Sequence, residues 1–189
     1  CVLVSGGWTP SVHLYSQAKG KLAWRDDLAA FVPGSELDGI GTAGALAGEV
    51  ALSRVLESGV AGLGQFAGKA APPKSTGLEA SLNTSAAWPK PKAKGRVWID
   101  YQNDVTAKDV ELAARENFVS VEHLKRYTTL GMATDQGKTS NLNGLALLAE
   151  ATGRSIPNVG TTTYRPPFTP VPFTSLIGAK RKSLLAPVR

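Results

Sequence analysis

The sequence lacks most of the features that would support catalysis by this chain alone. It contains one cysteine, Cys1, which excludes a disulfide within the chain. Its two histidines, His13 and His123, stand far apart and belong to no group with the spacing of metal ligands. The nucleophile motif G-x-S-x-G is absent. No run of about 18 apolar residues predicts a membrane span, and no charged-then-apolar segment predicts a secretion signal. We therefore expect no membrane partner and no self-sufficient active site.

Positive charge is in excess, with a formal net charge of +6 at pH 7. The excess is concentrated in Lys90–Arg96 and Lys180–Arg189, which we interpret as solvated linker charge. No basic platform interleaved with aromatic residues is present, so we do not expect nucleic acid as a partner. Because an apolar run is already under way at Cys1, we expect a fragment of a longer polypeptide in the bacterial cytoplasm.

The stretch Val105–Ala151 predicts three short helices. The first begins with a capping box, in which Thr106 caps the helix and Asp109 stands three residues later, and it ends near Asn117. Ser120 caps the second helix, which is acidic in its first turn and basic in its last, the order that the helix dipole favours. The apolar positions recur at helical spacing and predict the core: Val110, Ala113, Ala114, Val121, Leu124, Tyr127, Thr128, Leu142, Leu145, Ala146, Leu148 and Ala149.

A polar loop joins the second of these helices to the third. It runs from Gly131 to Asn141 and has the sequence GMATDQGKTSN. The third helix follows from Asn141 to Ala151, with Gly153 just beyond its end. Because unpaired N–H groups point outward at a helix N-terminus, the end of this loop can receive an anion. We call the segment Gly131–Asn141 the polar loop.

The first 68 residues have the pattern of an α/β unit. We expect a buried strand over Cys1–Ser5, a helix over 11–17, and short strands over Ala29–Pro33 and Asp38–Gly41. A strand end, a glycine-rich turn and a long helix are expected over 41–68, and the residues predicted to be buried there are Val50, Ala51, Leu52, Val55 and Leu56. The glycine-rich turn does not match G-x-G-x-x-G, and a packing role is an alternative to a phosphate cradle.

Composition divides the chain into four parts. Residues 1–69 are the α/β unit, and residues 70–95 are a linker rich in Pro, Ala, Ser and Lys, in which Trp88 is an aromatic anchor or an exposed side chain. Residues 96–153 are the helical unit, which a strand over Arg96–Tyr101 precedes. Residues 154–189 are a Pro-rich connection, extended over 161–173 by its prolines.

The stretch DVTAKDVELAARENFVSVEHLKRYTTLGMATDQGKTSN resembles the small helical domain of the alpha subunits of heterotetrameric sarcosine oxidases. That domain is similar to the 2Fe–2S domain of bacterioferritin-associated ferredoxin. The resemblance places the four cluster cysteines of related dehydrogenase subunits at Asp100, Gln102, Asp135 and Ser140. A cluster needs thiolate ligands, and none of these four residues is a cysteine. The resemblance therefore implies a scaffold without an iron–sulfur cluster.

The same resemblance defines the expected fold class. It is α/β with a small all-α domain: the C-terminal piece of a two-dinucleotide-binding-domain fold, followed by a three-helix module like a 2Fe–2S domain but without the cluster cysteines. In this family the first part holds NAD, and the Pro-rich connection leads to a folate-binding aminomethyltransferase-like domain. The residues that the resemblance assigns to a partial NAD pocket are Ala43, Gly44, Ala45, Gly48 and Val50.

The resemblance also implies a function. The complex would contain beta, gamma and delta subunits with FAD, FMN and tetrahydrofolate. It would oxidatively demethylate sarcosine to glycine, forming hydrogen peroxide and 5,10-methylenetetrahydrofolate. FMN would lie at the interface with the beta subunit, where we expect the polar loop to face it through Lys138, Thr139, Ser140 and Asn141, together with Arg126, Tyr127, Thr128 and Gln136.

Several alternatives remain open from the sequence. The polar loop can be an ordinary capped loop that contacts a neighbouring subunit. The chain can be an electron-transfer module, which the missing cysteines argue against, or a structural subunit-contact module without a ligand. Within the family, a subunit of an opine oxidase or another N-methyl amino-acid oxidase is a further reading. His13, His123, Asp104 and Asp109 are interpreted as structural residues.

Overall fold

The computed structural model describes residues 8–68, 70–75, 86–89, 94–167, 169–172 and 174–177. The strand predicted over Cys1–Ser5 lies outside these residues. The described helices are α1 (His13–Gln17), α2 (Leu52–Ala67), α3 (Ala107–Arg115), α4 (Val121–Thr128), α5 (Asn141–Thr152), α6 (Ile156–Val159) and α7 (Thr174–Ile177), with a 3-10 helix at Gly44–Ala47. The described strands are β1 (Leu22–Arg25), β2 (Ala30–Pro33), β3 (Trp98–Asp100) and β4 (Val105–Thr106).

Two small antiparallel hairpins take the place of a parallel sheet in the described part of the chain. In the first, β1 pairs with β2, and Leu22 stands opposite Pro33. The strand predicted over Ala29–Pro33 is confirmed, whereas β1 was not predicted. The strand predicted over Asp38–Gly41 is wrong, because this segment folds back on itself in a turn closed by a single bridge between Leu37 and Ile40.

The three predicted helices of the helical unit are confirmed as α3, α4 and α5. They pack through fully buried side chains, among them Val110, Leu124 and Leu148. Phe31 of the first hairpin belongs to the same core. Burial of these residues removes apolar surface from water, which is the main favourable contribution to folding. The hairpin and the helical unit therefore share one core.

The predicted caps explain where these helices begin. The Asp109 carboxylate accepts hydrogen bonds from the backbone N–H and the hydroxyl of Thr106, both at 2.7 Å. The Ser120 hydroxyl accepts the backbone N–H of His123 at 3.3 Å. The bonds from the Thr106 and His123 backbone N–H groups satisfy donors that a helix start leaves without partners. The α3 helix stops just before Asn117, which has a positive φ of 70°.

The long helix predicted after the glycine-rich turn is confirmed as α2, but its burial is not as expected. Leu52 is 46% exposed, so its predicted burial is wrong. It is the first residue of α2, whereas Val55 and Ser58, further along the helix, lie beside Gly44 of the 3-10 helix. Val50, Ala51, Val55 and Leu56 are half-buried. A 3-10 helix stands where a strand end and a turn were predicted.

The segment after α6 is extended, as its prolines predict. Its described residues between Gly160 and Pro172 form neither helix nor strand. In the linker, the ring of Trp88 is half-buried and lies 6.4 Å from that of Trp24, which favours the anchor reading. Across the described ranges, the structure has no helix that combines the length and apolarity needed to cross a bilayer.

Candidate functional site

The polar loop is built around a buried carboxylate, Asp100, at the end of β3. Asp100 is 2% exposed. Its Oδ1 accepts the backbone N–H groups of Gln102 at 2.9 Å and Asn103 at 3.2 Å. Its Oδ2 accepts the backbone N–H of Gly131 at 2.8 Å and the hydroxyl of Ser140 at 3.4 Å. One carboxylate thus connects the strand end with both ends of the polar loop.

Hydrogen bonds connect three of the four positions that the resemblance aligned with cluster cysteines, Asp100, Gln102 and Ser140. Asp100 and Ser140 are hydrogen-bonded. Gln102 accepts a hydrogen bond at 3.0 Å from the hydroxyl of Thr134, the residue next to Asp135. The Asp135 carboxylate in turn accepts the N–H of Gly137 at 3.1 Å. Polar side chains hold the loop at each of the four positions.

Two of the predicted flavin-facing residues turn into the protein. Ser140 is 1% exposed and Asn141 is 4% exposed. The Asn141 amide donates to the hydroxyl of Thr162 at 2.9 Å and to the carbonyl of Gln136 at 3.4 Å. A Cβ on Gly137 would lie only 2.2 Å from Asn141 Oδ1, so the loop closes tightly on this amide. Both side chains bond to the chain itself, and a role toward a ligand stays a prediction for them.

The other two loop residues are more accessible. Thr139 is exposed, and its hydroxyl donates to Asp135 at 2.9 Å. Lys138 is half-buried and lines a small cavity of about 30 Å³ with His13 and Tyr164. Burial, together with the charge of Lys138, lowers the pKa of His13 to about 4. Lys138 therefore lies where helix α1 meets the loop and the extended segment.

A cationic cleft lies beside the polar loop, between α4 and the extended segment that follows α6. Its volume is about 540 Å³, within the usual range of ligand pockets. The charged side chains that line it are Glu122, Lys125, Arg126 and Arg165. The predicted residue Gln136 lines it as well, and its amide donates to the carbonyl of Pro167. We call this space the cationic cleft.

The charges in the cationic cleft influence one another. Burial lowers the pKa of Lys125; Glu122 opposes this change, and Arg165 and Arg126 add to it. Burial raises the pKa of Glu122, but hydrogen bonds from Thr163 and the charges of Lys125 and Arg126 bring it below its ordinary value. A site with three cationic side chains and one carboxylate favours an anionic ligand.

Tyr127 and Thr128, also predicted to face a flavin, are engaged elsewhere. The ring of Tyr127 stacks on that of Phe118 with the centroids 4.6 Å apart. The Thr128 hydroxyl donates to the carbonyl of Leu124 at 2.7 Å, one turn back along α4. Of the predicted set, Arg126 and Gln136 are the residues that line the cleft.

The residues predicted for a partial NAD pocket pack against the first hairpin and α2. The N–H of Gly44 donates to the hydroxyl of Ser58 at 2.9 Å. A Cβ on Gly48 would lie 2.9 Å from Leu28 Cδ1 and 3.2 Å from Val32 Cγ1, which supports the packing reading of this glycine. Ala45 is exposed, whereas Ala43 and Val50 are half-buried.

A cavity of about 630 Å³ adjoins this group. Gly41, Thr42 and Ser58 line it together with the acidic side chains Glu36 and Asp38. Carboxylates accept hydrogen bonds from hydroxyl groups, so this lining suits the hydroxyls of a ligand better than its phosphates. The structure thus locates the predicted nucleotide-binding segment next to a polar cavity rather than in a phosphate cradle.

Some residues of this site could not be found by sequence reasoning. Thr162, Arg165 and Glu122 reach the loop region through contacts that span about 20 to 40 residues of chain. The sequence analysis named Asp100 only as a position where related subunits have a cluster cysteine. It did not predict that Asp100 accepts hydrogen bonds from the polar loop. The D-x-x-N order of residues 100–103 is a turn signal that could have indicated an Asp whose side chain accepts backbone N–H groups.

Comparison with known proteins agrees with this architecture. The family model of the sarcosine oxidase A3 domain matches residues 94–181. The chain is 41% identical over 193 residues to the sarcosine oxidase subunit alpha of Rhizobium meliloti (strain 1021), covering 98% of this chain and 20% of that protein. The subunits alpha from Corynebacterium sp. strains P-1 and U-96 are 38% and 39% identical, each covering 98% of this chain and 21% of the relative.

The fold has a counterpart among solved structures. The crystal structure of L-proline dehydrogenase from P. horikoshii matches with a TM-score of 0.68 at 23% identity, covering 90% of this chain and 37% of that chain. At this identity the match establishes the mixed α/β fold. The chain spans about a fifth of the length of its curated relatives. Over that length, the chain resembles the alpha subunits of sarcosine oxidases, and its residues 94–181 match their A3 domain.

Proposed function

We propose that this chain is the part of a sarcosine oxidase alpha subunit that helps to hold a flavin at a subunit interface. The observation that carries the proposal is the cationic cleft, which lies inside the segment matched by the sarcosine oxidase A3 family. The complex would convert sarcosine to glycine, with hydrogen peroxide and 5,10-methylenetetrahydrofolate as the other products. Its partners would be the beta, gamma and delta subunits, in the cytoplasm.

The charge of the cleft fits the phosphate of FMN. Lys125, Arg126 and Arg165 exceed the one carboxylate, Glu122, by two charges, and a phosphate monoester carries between one and two negative charges at neutral pH. Arginine binds phosphate through paired N–H donors. The flavin supplies the electron acceptor. Lys125, Arg126 and Arg165 would bind its phosphate in the cleft. Lys138 and Thr139, in the neighbouring polar loop, would support the edge of the flavin.

The remaining cofactors have unequal support in this chain. The polar cavity beside Gly41 and Ser58 fits the ribose of NAD better than its phosphates. FAD and tetrahydrofolate would be bound by other parts of the complex. The helical unit would be an iron–sulfur-type scaffold in which Asp100 and Ser140 stand at ligand positions and are bonded to each other.

The flavin proposal is tested in the assembled complex with Lys138→Ala and Thr139→Ala combined. We expect a lower flavin content per complex, because a cation and a hydroxyl beside the flavin are lost. Lys108→Ala, which removes an exposed cation from α3, is the matched control and should leave the flavin content unchanged. Unchanged flavin content in the double variant would refute the assignment.

A second candidate function is a ligand-free contact module of a related opine or amine oxidoreductase. It is favoured by the burial of Ser140 and Asn141, whose side chains bond to this chain. Titration of the complex with flavin and NAD separates the two functions. If this chain is only a contact module, changing its residues leaves the binding of flavin and NAD unchanged. An assay for iron and acid-labile sulfide tests the electron-transfer alternative, for which we expect neither.

A further inference from the structure

The Asp100 carboxylate is the point at which the polar loop is fixed to the rest of the fold. It is 2% exposed, and four donors from the described residues surround it. Two of these donors belong to its own turn, Gln102 and Asn103. The other two, Gly131 and Ser140, lie 31 and 40 residues further along the chain. A single side chain thus joins the turn after β3 to the first residue of the loop and to the residue that precedes α5.

Hydrogen bonds to a buried carboxylate are stronger than those between neutral groups, and a buried acceptor that loses its donors is strongly unfavourable. The contacts of Asp100 therefore restrict where the loop can go. Neighbouring bonds reinforce this restriction, since Asn103 Nδ2 donates to the carbonyl of Thr129 at 2.8 Å and Thr134 donates to Gln102 at 3.0 Å.

We propose that Asp100 is a positioning residue: through Gly131 and Ser140 it holds the polar loop in the conformation in which Lys138 and Thr139 meet the flavin edge. This inference rests on the proposed function. Asp100 itself is too deeply buried to touch a ligand, so its effect reaches the flavin only through the loop. The mechanism is preorganisation, in which a supporting residue fixes the groups that bind.

Asp100→Asn is the most direct perturbation, because it keeps the size of the side chain. Its amide offers one acceptor oxygen and one NH₂ donor, so it can accept from its own turn or from Gly131, but not from both. The loss of one charge-assisted bond makes the binding conformation of the loop less populated. We therefore expect flavin binding to weaken about tenfold or more. We also expect amide hydrogen exchange of the peptide 129–141 to become about tenfold faster in the apo complex.

Two control variants separate positioning from other effects. Asp104→Asn removes an exposed carboxylate from the same turn, at a positive φ of 54° that asparagine tolerates. It should change neither the flavin affinity nor the hydrogen exchange of the peptide 129–141. Val110→Ala truncates a fully buried side chain of α3, outside the polar loop, and lowers stability. It should leave flavin affinity and the visible absorption spectrum of the bound flavin unchanged, whereas Asp100→Asn should alter both.

The outcomes are distinguishable. Faster exchange with weaker flavin binding in Asp100→Asn alone supports the inference. Unchanged exchange overturns it, and so does weaker flavin binding of the same size in Val110→Ala. Faster exchange with unchanged flavin binding also overturns it; the proposed function then stands if the Lys138→Ala and Thr139→Ala variant still loses flavin, and it fails as well if that variant does not.

Discussion

Replacing Gly137 by alanine tests how tightly the polar loop closes. Gly137 has a φ of +74°, and a Cβ there would lie 2.2 to 2.3 Å from the three outer atoms of the Asn141 amide. Asn141 is 4% exposed and is held by Thr162 at 2.9 Å, so it cannot move aside without losing that bond. The left-handed backbone costs alanine about 1 kcal/mol, and overpacking a tight interior adds about 1–3 kcal/mol. Gly137→Ala should therefore lower the free energy of unfolding by about 2–4 kcal/mol.

Gly153 provides a matched control for the cost of placing alanine in a left-handed backbone conformation. It also has a positive φ, +65°, but nothing lies within 4 Å of the position of its Cβ. Gly153→Ala should cost only about 1 kcal/mol. Urea unfolding followed by the fluorescence of the four tryptophans measures both variants. Adding Asn141→Ala to Gly137→Ala removes the clash, so the two changes together should cost about 1–3 kcal/mol less than their sum. Equal losses in Gly137→Ala and Gly153→Ala would contradict a steric cost from Asn141.

Two further predictions concern the helix start and the buried histidine. Asp109→Ala should lower the free energy of unfolding by about 1–2 kcal/mol, because this carboxylate accepts both bonds from Thr106; a loss no larger than that of the exposed-site variant Glu111→Ala would contradict this. The pKa of His13 is about 4, below the 6.5 of a free histidine, so the unfolded chain binds more protons between these values. Stability should fall on the order of 2–3 kcal/mol as the pH drops from about 6.5 to 4, and His13→Phe should flatten this dependence in unfolding measured across that range.

The sequence predicted the parts of the fold that depend on near neighbours. Capping at Thr106 and Ser120, together with apolar spacing, located α3, α4 and α5, because helix formation depends on contacts within one or two turns. The hairpin strand β1 was missed: its four residues, LAWR, alternate half-buried and exposed, but so short a strand becomes visible only when its partner is known. The strand predicted over Asp38–Gly41 is wrong because the segment turns back on itself and pairs only through the bridge between Leu37 and Ile40.

The candidate site was harder to predict, because its geometry depends on contacts distant in sequence. The sequence analysis grouped Arg126 and Gln136 in one region, and both line the cationic cleft; their role toward a flavin stays a prediction. The spacing of Lys138, Thr139, Ser140 and Asn141 did not reveal that the last two face inward. That orientation follows from Asp100 and Thr162, which lie 40 and 21 residues away from Ser140 and Asn141 respectively.

The most direct test of the account is a measurement on the full-length alpha subunit that contains this chain, purified together with its neighbouring subunits. Flavin, NAD and iron are quantified in that complex, and peroxide production is followed on addition of sarcosine. We predict bound flavin and NAD, no iron, and peroxide production that depends on sarcosine. Iron with acid-labile sulfide, or turnover only with another amine, would contradict it.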